Sequence, residues 1–264
     1  MITLHTLASG SSGNALTVSG GTTRLLVDAG ISCRRITAGL RTLASSPEDL
    51  DAILITHTHT DHISGLQTLL KRTACPILAS PETCRELAHR GLGGRLETLS
   101  LCMPTACGDF TVTAFPIAHD APGACGFRLD GPDGSAGIMT DTGCVTEEAA
   151  EILPGIDLAV LEANHDVETL RSGPYPYYLK RRILGPGGHL CNEDAARFAV
   201  TLAERGTAEV VLAHLSRENN TPAMALRAVE TALAAADLHP ALSVAPRETL
   251  SEAYLVAGRR VCRG

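Results

Sequence analysis

The sequence concentrates four potential metal ligands within six residues. His57, His59, Asp61 and His62 form the run His-Thr-His-Thr-Asp-His, which directly follows the apolar stretch Ala52–Ile55. Imidazole and carboxylate groups together suit zinc or manganese. Three histidines beside a buried strand would be unfavourable unless they bind something, because burying an unpaired polar group costs free energy. We therefore interpret the run as a metal site and not as a solvated loop.

Three further candidates follow later apolar stretches of the chain. His119 comes after an alternating stretch, and Asp141 and His214 each come after a short apolar one. A single histidine at a strand end is more often structural than catalytic, so each residue alone is weak evidence. Layered α/β proteins, however, build their ligand sites at strand ends. The joint pattern predicts that these residues meet the first four in one site.

Hydrophobic periodicity predicts the elements that position these residues. Strands are predicted over residues 2–7, 16–18, 25–27, 52–55, 111–115, 126–129, 137–139, 158–161 and 209–213. Helices are predicted over residues 34–43, 64–72, 81–89 and 193–204, and from Pro222 with Thr221 as N-cap. This mixture indicates a layered α/β fold. Since no linker, repeat or low-complexity segment interrupts the chain, one domain over residues 1–264 is predicted.

Composition limits the possible partners. The 264 residues carry a net charge of −7, which argues against general adhesion to nucleic acid or to an anionic membrane but allows a local basic patch.

The nine cysteines include no Cys-x-x-Cys pair, so neither a disulfide framework nor a zinc ribbon is expected. The sequence shows no signal peptide and no apolar run long enough to cross a membrane. We therefore expect a cytoplasmic protein.

The histidine and aspartate pattern resembles the His-x-His-x-Asp-His signature of metallo-β-lactamase-fold hydrolases. The resemblance implies a four-layer αββα sandwich and two divalent metal ions, zinc or manganese, with iron also possible. It assigns His57, His59 and His119 to the first metal, Asp61, His62 and His214 to the second, and Asp141 to both. It also implies that a metal-bridging hydroxide attacks the substrate, and that Asp61 orients or deprotonates this water.

Further segments are similar to the YycJ/WalJ-type branch of this family, which contains bacterial cytoplasmic nucleases. They are residues 9–15, 162–166, 175–176, 180–183, 188–190 and 214–220. Parts of the chain are also similar to ribonuclease Z and to small cyclic phosphodiesterases, but the pair Asn219-Asn220 favours the YycJ/WalJ type. The resemblance implies 5′-to-3′ exonuclease activity on DNA. It makes His189, in a glycine-rich turn, the candidate that assists the leaving group, although a turn-stabilising role is the alternative.

Two segments are candidates for substrate contacts. The turn around Ser11, Ser12 and Asn14 offers donors to a phosphate, unless it is a plain tight turn. Residues 169–192 contain four basic residues, three tyrosines and no acidic residue, which suits phosphate neutralisation and base stacking. The alternative is a surface loop whose tyrosines pack on the core. Within residues 169–192 the candidate contacts are Lys180, Arg181 and Arg182. Arg217 and Asn219, which follow His214, are further candidates.

Four residues near the candidate site have open roles. His165 and Asp166 are hydrogen-bond partners of a ligand histidine, substrate contacts or purely structural residues. Cys144 and Cys191 lie close in sequence to Asp141 and His189, but neither is paired with a recognisable base. We therefore interpret both cysteines as small buried hydrophobic residues.

Three functions remain open from the sequence. The first is a DNA exonuclease with two metal ions. The second is another hydrolase on the same scaffold, acting on a small or cyclic phosphodiester, a thioester or a lactam. The third is a non-catalytic nucleic-acid-binding module that a metal stabilises. The basic, tyrosine-bearing segment favours a polymer substrate, and seven ligands exceed what one closed structural metal site needs. The sequence does not indicate an oligomeric state.

Overall fold

The computed structural model describes residues 1–92 and 95–256 and contains two seven-stranded sheets. In chain order the strands are Ile2–Ala8 (β1), Ala15–Gly20 (β2), Thr23–Val27 (β3), Ala52–Ile55 (β4), Ile77–Ala79 (β5), Leu96–Thr98 (β6), Pro104–Cys107 (β7), Phe110–Pro116 (β8), Cys125–Gly131 (β9), Gly134–Met139 (β10), Leu158–Glu162 (β11), Glu209–Ala213 (β12), Ala241–Val244 (β13) and Tyr254–Val256 (β14). The first sheet has the order β14-β1-β2-β3-β4-β5-β6, and the second has the order β13-β12-β11-β10-β9-β8-β7.

Helices connect the strands and cover the sheets. They are Cys33–Thr42 (α1), Thr60–Ile63 (α2), Leu66–Leu69 (α3), Pro81–His89 (α4), Glu147–Ile152 (α5), Val167–Ser172 (α6), Tyr177–Ile183 (α7), Asn192–Glu204 (α8) and Pro222–Ala235 (α9), with a short 3-10 helix over Pro47–Asp49. Helix α9 begins as predicted, because the Thr221 side chain accepts a hydrogen bond from the Met224 N–H.

The alternation of side chains along the strands separates three apolar layers. On β4, Leu54 packs in the core between the two sheets, whereas Ile53 and Ile55 pack in the layer beneath α1, α3 and α4. On β11, Val160 belongs to the central core and Leu161 to the layer beneath α8 and α9. Successive residues of a strand point to opposite faces, so both faces of each sheet are buried. The predicted four-layer αββα sandwich is confirmed.

Parallel strands in the two sheets deliver the candidate residues to one edge. Strands β3 and β4 run parallel in the first sheet, and β10, β11 and β12 run parallel in the second. Asp28 follows β3 and the His57 run follows β4, while Asp141 and His214 follow β10 and β12. The carboxyl ends of parallel strands are the usual place for a site in such folds.

The predicted elements match the structure to within three residues, with one exception. The single helix predicted over residues 64–72 is wrong, because only the short helix α3 lies in this range and the preceding turn, α2, ends at Ile63. The Gly65 N–H donates to the Ala29 carbonyl at 2.8 Å, and the Asp61 carbonyl accepts from the Asn14 N–H at 2.7 Å. In a helix running from α2 into α3 these two groups would bond to each other, so the tertiary contacts separate the two turns.

Two features of the described residues concern disulfide bonds and membrane-spanning helices. The eight cysteines within the described ranges are all free, and Cys262 lies outside those ranges. None of the helices in the described part of the chain combines the length and the apolar character that a bilayer crossing requires.

Candidate metal centre

All seven predicted ligands lie together where the two sheets meet. The ligand atoms within each of two groups lie within 4.8 Å of one another: His57, His59 and His119, and Asp61, His62, Asp141 and His214. The two groups adjoin, because the ring centroids of His57 and His62 are 4.0 Å apart. Residues far apart in sequence, from both sheets, therefore converge on one edge of the sandwich.

The converging atoms face one another at separations that suit a shared ion. His119 Nε2 lies 3.2 Å from His59 Nδ1 in the first group. In the second group, the two carboxylate oxygens of Asp141 face different histidines, with Oδ2 3.2 Å from His62 Nε2 and Oδ1 3.5 Å from His214 Nε2. Asp141 therefore groups with the second set of ligands, and its bridging to the first set stays a prediction.

Unpartnered buried atoms show that these side chains fit a metal. Within residues 1–92 and 95–256, His57 Nε2, Asp141 Oδ2 and His214 Nε2 are buried without a hydrogen-bond partner. Such atoms are rare in folded proteins, because losing hydration without a replacement bond is costly. Nitrogen and oxygen donors of this kind are the preferred ligands of zinc, manganese and iron. Divalent ions held by the two groups of ligands would satisfy these atoms.

Two buried carboxylates behind the ligands were not identified from the sequence. Asp28 Oδ2 lies 2.7 Å from His62 Nδ1, and its Oδ1 accepts hydrogen bonds from the N–H and hydroxyl of Thr56. Glu162 Oε1 lies 2.9 Å from Nδ1 of both His189 and His214. Each contact fixes the ring orientation, so that Nε2 of His62 and His214 points to the centre. The available signal was a carboxylate at the end of an apolar strand.

The cluster shifts the pKa values of its members in opposite directions. Burial lowers the pKa of the His57 imidazole well below its usual value, and His62 adds to this effect. Burial acts in the same direction on His214, but Asp141, Asp61 and Glu162 outweigh it and raise the pKa to about 10. Burial would raise the pKa of Asp141, yet His214 and His62 hold it well below the usual range. The carboxylates therefore favour the protonated form of the histidines that face them.

Three residues of the centre have left-handed backbone conformations. The φ angles are 58° at Asp28, 58° at Asp141 and 55° at His214. Such a conformation costs about 1–3 kcal/mol for a residue other than glycine and persists where the surroundings enforce it. Each residue follows the end of a strand, and the turn directs its side chain to the edge of the sheets.

The turn that precedes β2 contacts the centre through one of its three predicted residues. Ser11 and Ser12 are exposed, whereas Asn14 is buried. Asn14 Nδ2 lies 3.0 Å from His62 Nε2 and 3.5 Å from Asp61 Oδ2, and its Oδ1 accepts from the Gly10 N–H. Asn14 therefore supports the ligands directly, and phosphate contacts by the exposed Ser11 and Ser12 stay a prediction.

The basic segment folds into α7, where its three cations have different partners. Lys180 Nζ donates to the carbonyls of Arg171 and Gly173 at 2.6 and 2.7 Å, so it caps the end of α6. The Arg181 guanidinium lies 6.0 Å from the ring centroid of Tyr177, and both residues are exposed. The alternative of tyrosines packed on the core does not hold for Tyr177 and Tyr178, which are 76% and 74% exposed.

Arg182 is the cation of α7 that is closest to the metal ligands. Its Nε donates to Asp120 Oδ2 at 2.7 Å. The other oxygen of Asp120 lies 3.6 Å from Nε2 of both His59 and His119. The Asp120 carboxylate therefore connects the guanidinium to the first ligand group.

The two candidates near His214 have internal partners. Arg217 is exposed and pairs with Glu248. Asn219 is fully buried; its Nδ2 donates to Ser216 Oγ, and its carbonyl accepts from the Asp166 N–H. Both side chains therefore bond to other parts of the protein, and substrate contacts by Arg217 and Asn219 stay predictions.

Asp166 and His165 differ in their contacts. Asp166 caps α6 by accepting from the Thr169 N–H at 2.7 Å, which is a structural role. His165 is buried, and both ring nitrogens lack a hydrogen-bond partner in the described part of the chain.

The interpretation of Cys144 as buried is wrong, because it follows Gly143 in a loop and is exposed, and Cys191 is only partly buried.

Sequence relatives support the interpretation of this cluster as the site of a metal-dependent hydrolase. A family model described as a β-lactamase superfamily domain matches residues 23–215. Exodeoxyribonuclease WalJ of Streptococcus pneumoniae is 39% identical over 237 residues, which cover 88% of each chain. Exodeoxyribonuclease YycJ of Bacillus anthracis is 37% identical and covers 86% of this chain and 87% of its own. The chain belongs to the YycJ/WalJ branch of the metallo-β-lactamase superfamily. Membership of this branch makes it a metal-dependent hydrolase.

Solved structures show the same fold at low sequence identity. The metallo-β-lactamase-fold protein YhfI of Bacillus subtilis superposes with a TM-score of 0.73 at 16% identity, over 96% of this chain and 100% of that one. The short form of human tRNase Z gives a TM-score of 0.61 at 18% identity, over 96% and 100% of the two chains. This branch therefore keeps the αββα architecture of more distant members.

Proposed function

We propose that this protein is an exonuclease that hydrolyses DNA from the 5′ end with two divalent metal ions, zinc or manganese. Two relatives that match most of the chain carry the name exodeoxyribonuclease. The convergence of seven ligands beside a histidine that a buried carboxylate holds is the observation that carries the proposal. A lactam or thioester hydrolase has no comparable need for the basic helix α7.

The proposed ligands divide into two sets. His57, His59 and His119 would hold one ion, Asp61, His62 and His214 the other, and Asp141 would contact both. Ions bound there lower the pKa of a bound water and offset the negative charge of a phosphodiester. Asp61 is the most exposed carboxylate of the set, so it is the group that accepts a proton from the attacking water.

His189 supplies the proton for the leaving oxygen. Its Nδ1 is bonded to Glu162, which leaves Nε2 as the atom that meets the substrate. Burial would lower the pKa of His189, but the neighbouring Glu162 carboxylate raises it above the usual value. The imidazolium form is therefore available near neutral pH, as an acid for an alkoxide leaving group must be.

End-labelled DNA tests the proposal. The protein is loaded with Mn²⁺ or Zn²⁺ and incubated with single strands that carry a label at the 5′ or at the 3′ end. A 5′-to-3′ exonuclease releases the 5′ label at once as a mononucleotide and shortens the 3′-labelled strand stepwise. Asp61→Asn should lower the rate at least about a hundredfold, because the proton acceptor is lost.

Glu230→Gln is the matched control, because Glu230 is an exposed carboxylate on α9, outside the metal centre. This variant should retain the parental rate. Equal rates for Asp61→Asn and Glu230→Gln would contradict the site. Stepwise release of the 3′ label first would contradict the polarity, and hydrolysis of a small cyclic phosphodiester without any attack on DNA would favour the alternative phosphodiesterase.

A further inference from the structure

A small cavity adjoins the metal centre on the side of His189. Its volume is about 160 Å³, and both His119 and His189 line it. The apolar part of its wall consists of Tyr175, Leu179 and Ile183, and the polar part includes Ser11, Asn164 and Ser216. Helix α7 with its flanking loops, the turn after β1 and the loops after β8, β11 and β12 thus enclose one space beside the proposed leaving-group acid.

The volume and the lining suit a single nucleobase. Pockets for drug-sized ligands measure roughly 300–1,000 Å³, so this cavity holds only one small ring system. A base presents an apolar π face and a hydrogen-bonding edge, and aromatic side chains stack on the face. The Tyr175 ring is half-buried at the cavity and provides such a surface.

Polar groups remain free in the cavity for the edge of a base. The Ser11 hydroxyl has no hydrogen-bond partner among the residues described by the structure. Ser216 Oγ accepts from the backbone and side-chain N–H groups of Asn219, so its own hydroxyl proton remains to be donated. A base needs donors or acceptors of this kind, since its edge is otherwise left without partners.

Arg182 stands at the boundary between the cavity and the first ligand group. Asp120 binds only its Nε, so the terminal nitrogens of the guanidinium stay available to a phosphate oxygen. The side chain is 57% exposed and therefore reachable by a nucleic acid strand. A nucleic acid strand whose base occupies the cavity would thus bring its phosphate past Arg182 to the metal ligands.

We propose that this cavity binds the base of the 5′-terminal nucleotide, so that the enzyme removes one nucleotide at a time. The inference rests on the proposed function. Water attacks the phosphorus between the first two nucleotides, and the bond from phosphorus to the 3′ oxygen of the first nucleotide breaks. His189 donates a proton to that oxygen, and Asp61 accepts one from the water. The nucleotide beside His189 is therefore the one that leaves.

Strands with an abasic first nucleotide test the cavity. Two 5′-phosphorylated strands differ only at that position, one with a base and the other with a tetrahydrofuran residue. The parental enzyme should remove the base-bearing nucleotide roughly five- to a hundredfold faster, which is the range that base–aromatic stacking supports. An abasic residue placed at the third position should leave the rate of the first cleavage unchanged.

Tyr175→Ala should abolish this preference by lowering the rate on the base-bearing end to that on the abasic end. Ser11→Trp, which fills the cavity from an exposed position, should act in the same way. A loss from general misfolding would lower both rates together, and thermal melting of each variant detects it. Leu184→Ala is the control, because Leu184 ends α7 outside the cavity and is 42% exposed.

The outcomes separate this inference from the proposed function. If the parental enzyme degrades both strands from the 5′ end at equal rates, and Tyr175→Ala does the same, the cavity does not bind the base although the exonuclease assignment stands. If neither strand is degraded, the proposed function itself fails. Equal loss of preference in Leu184→Ala would also overturn the role of the cavity.

Discussion

Glu162 is a single buried carboxylate on which two histidines of the centre depend. It is fully buried and contacts Nδ1 of a proposed metal ligand, His214, and of the proposed acid, His189. Its second oxygen accepts from the backbone N–H groups of Thr142 and Leu190. One residue thus fixes the loops after β10 and before α8 together with both rings.

Replacing this carboxylate should weaken both the ligand and the acid. We expect Glu162→Gln to lower metal affinity or turnover by roughly 10- to 100-fold, the usual effect of removing the partner of a ligand histidine. Elemental analysis and kcat on labelled DNA measure the two contributions separately. Glu230→Gln serves again as control. A Glu162→Gln protein with unchanged metal content and unchanged kcat would contradict the role.

At the scale of elements, the loops after β3 and β4 are locked together by a close approach at Gly30. A Cβ atom at this position would lie 1.5 Å from the Asp61 carbonyl oxygen and 2.8 Å from the Asn14 nitrogen. The Gly30 N–H donates to the Asn14 carbonyl at 2.8 Å. The position of Asp61 therefore depends on a residue without a side chain.

Gly30→Ala should displace the ligand loop. We expect a loss of about 3 kcal/mol or more in the free energy of unfolding, because overpacking against backbone cannot be relieved by a rotamer change. Urea denaturation measures it, and metal content should fall as well. Gly155→Ala provides the comparison, since its Cβ meets nothing within 4 Å and only its positive φ is unfavourable. Similar losses in both variants would show that the contact with Asp61 does not matter.

Helix α7 carries one cation that bonds to backbone carbonyls, Lys180, and one that lies exposed beside a tyrosine ring, Arg181. We expect Arg181→Ala to reduce the slope of log affinity for single-stranded DNA against log salt by about 0.7, the value of one phosphate contact. Lys180→Ala should instead lower the melting temperature, because two carbonyls at the end of α6 lose their donor. Fluorescence anisotropy over a salt series and thermal melting distinguish them. The reverse assignment of effects would contradict the contacts of α7.

Several elements that the sequence did not predict have no buried face, although the buried strand β5 was also missed. Helix α7 buries none of its residues, so it has no amphipathic pattern to detect. Strands β6, β7 and β13 lie at or next to sheet edges and are largely exposed, so they lack the apolar alternation of central strands. The metal ligands were visible because each follows a buried strand. The cavity beside His189 was not, since it joins five separate segments by tertiary packing alone.

At the scale of the molecule, the metal centre joins the two sheets. Asp28 and His62 follow strands of the first sheet, and Asp141 and His214 follow strands of the second. Their ring and carboxylate atoms meet across the boundary, with His62 and Asp141 3.2 Å apart. A bound ion would therefore resist separation of the sheets as well as local motion of loops.

Metal removal should lower the stability of the whole chain. An ion at roughly 1,000 times its Kd stabilises the folded state by about 4 kcal/mol. For a protein of this size we expect a fall in Tm of about 10 °C on chelation. Calorimetry with and without EDTA measures it, and His62→Ala should show little response to the chelator. An identical Tm for metal-loaded and stripped protein would contradict the role of the centre in holding the sheets together.

The strand β14 gives the fold an order of assembly. It returns from the far end of the described chain to pair antiparallel with β1, with Ile2 opposite Val256. Until residues 254–256 have been synthesised, β1 presents unpaired amide and carbonyl groups along one side. Exposed strands of this kind attract other chains. Nascent copies on one messenger RNA are thus vulnerable to mutual pairing until that late segment arrives.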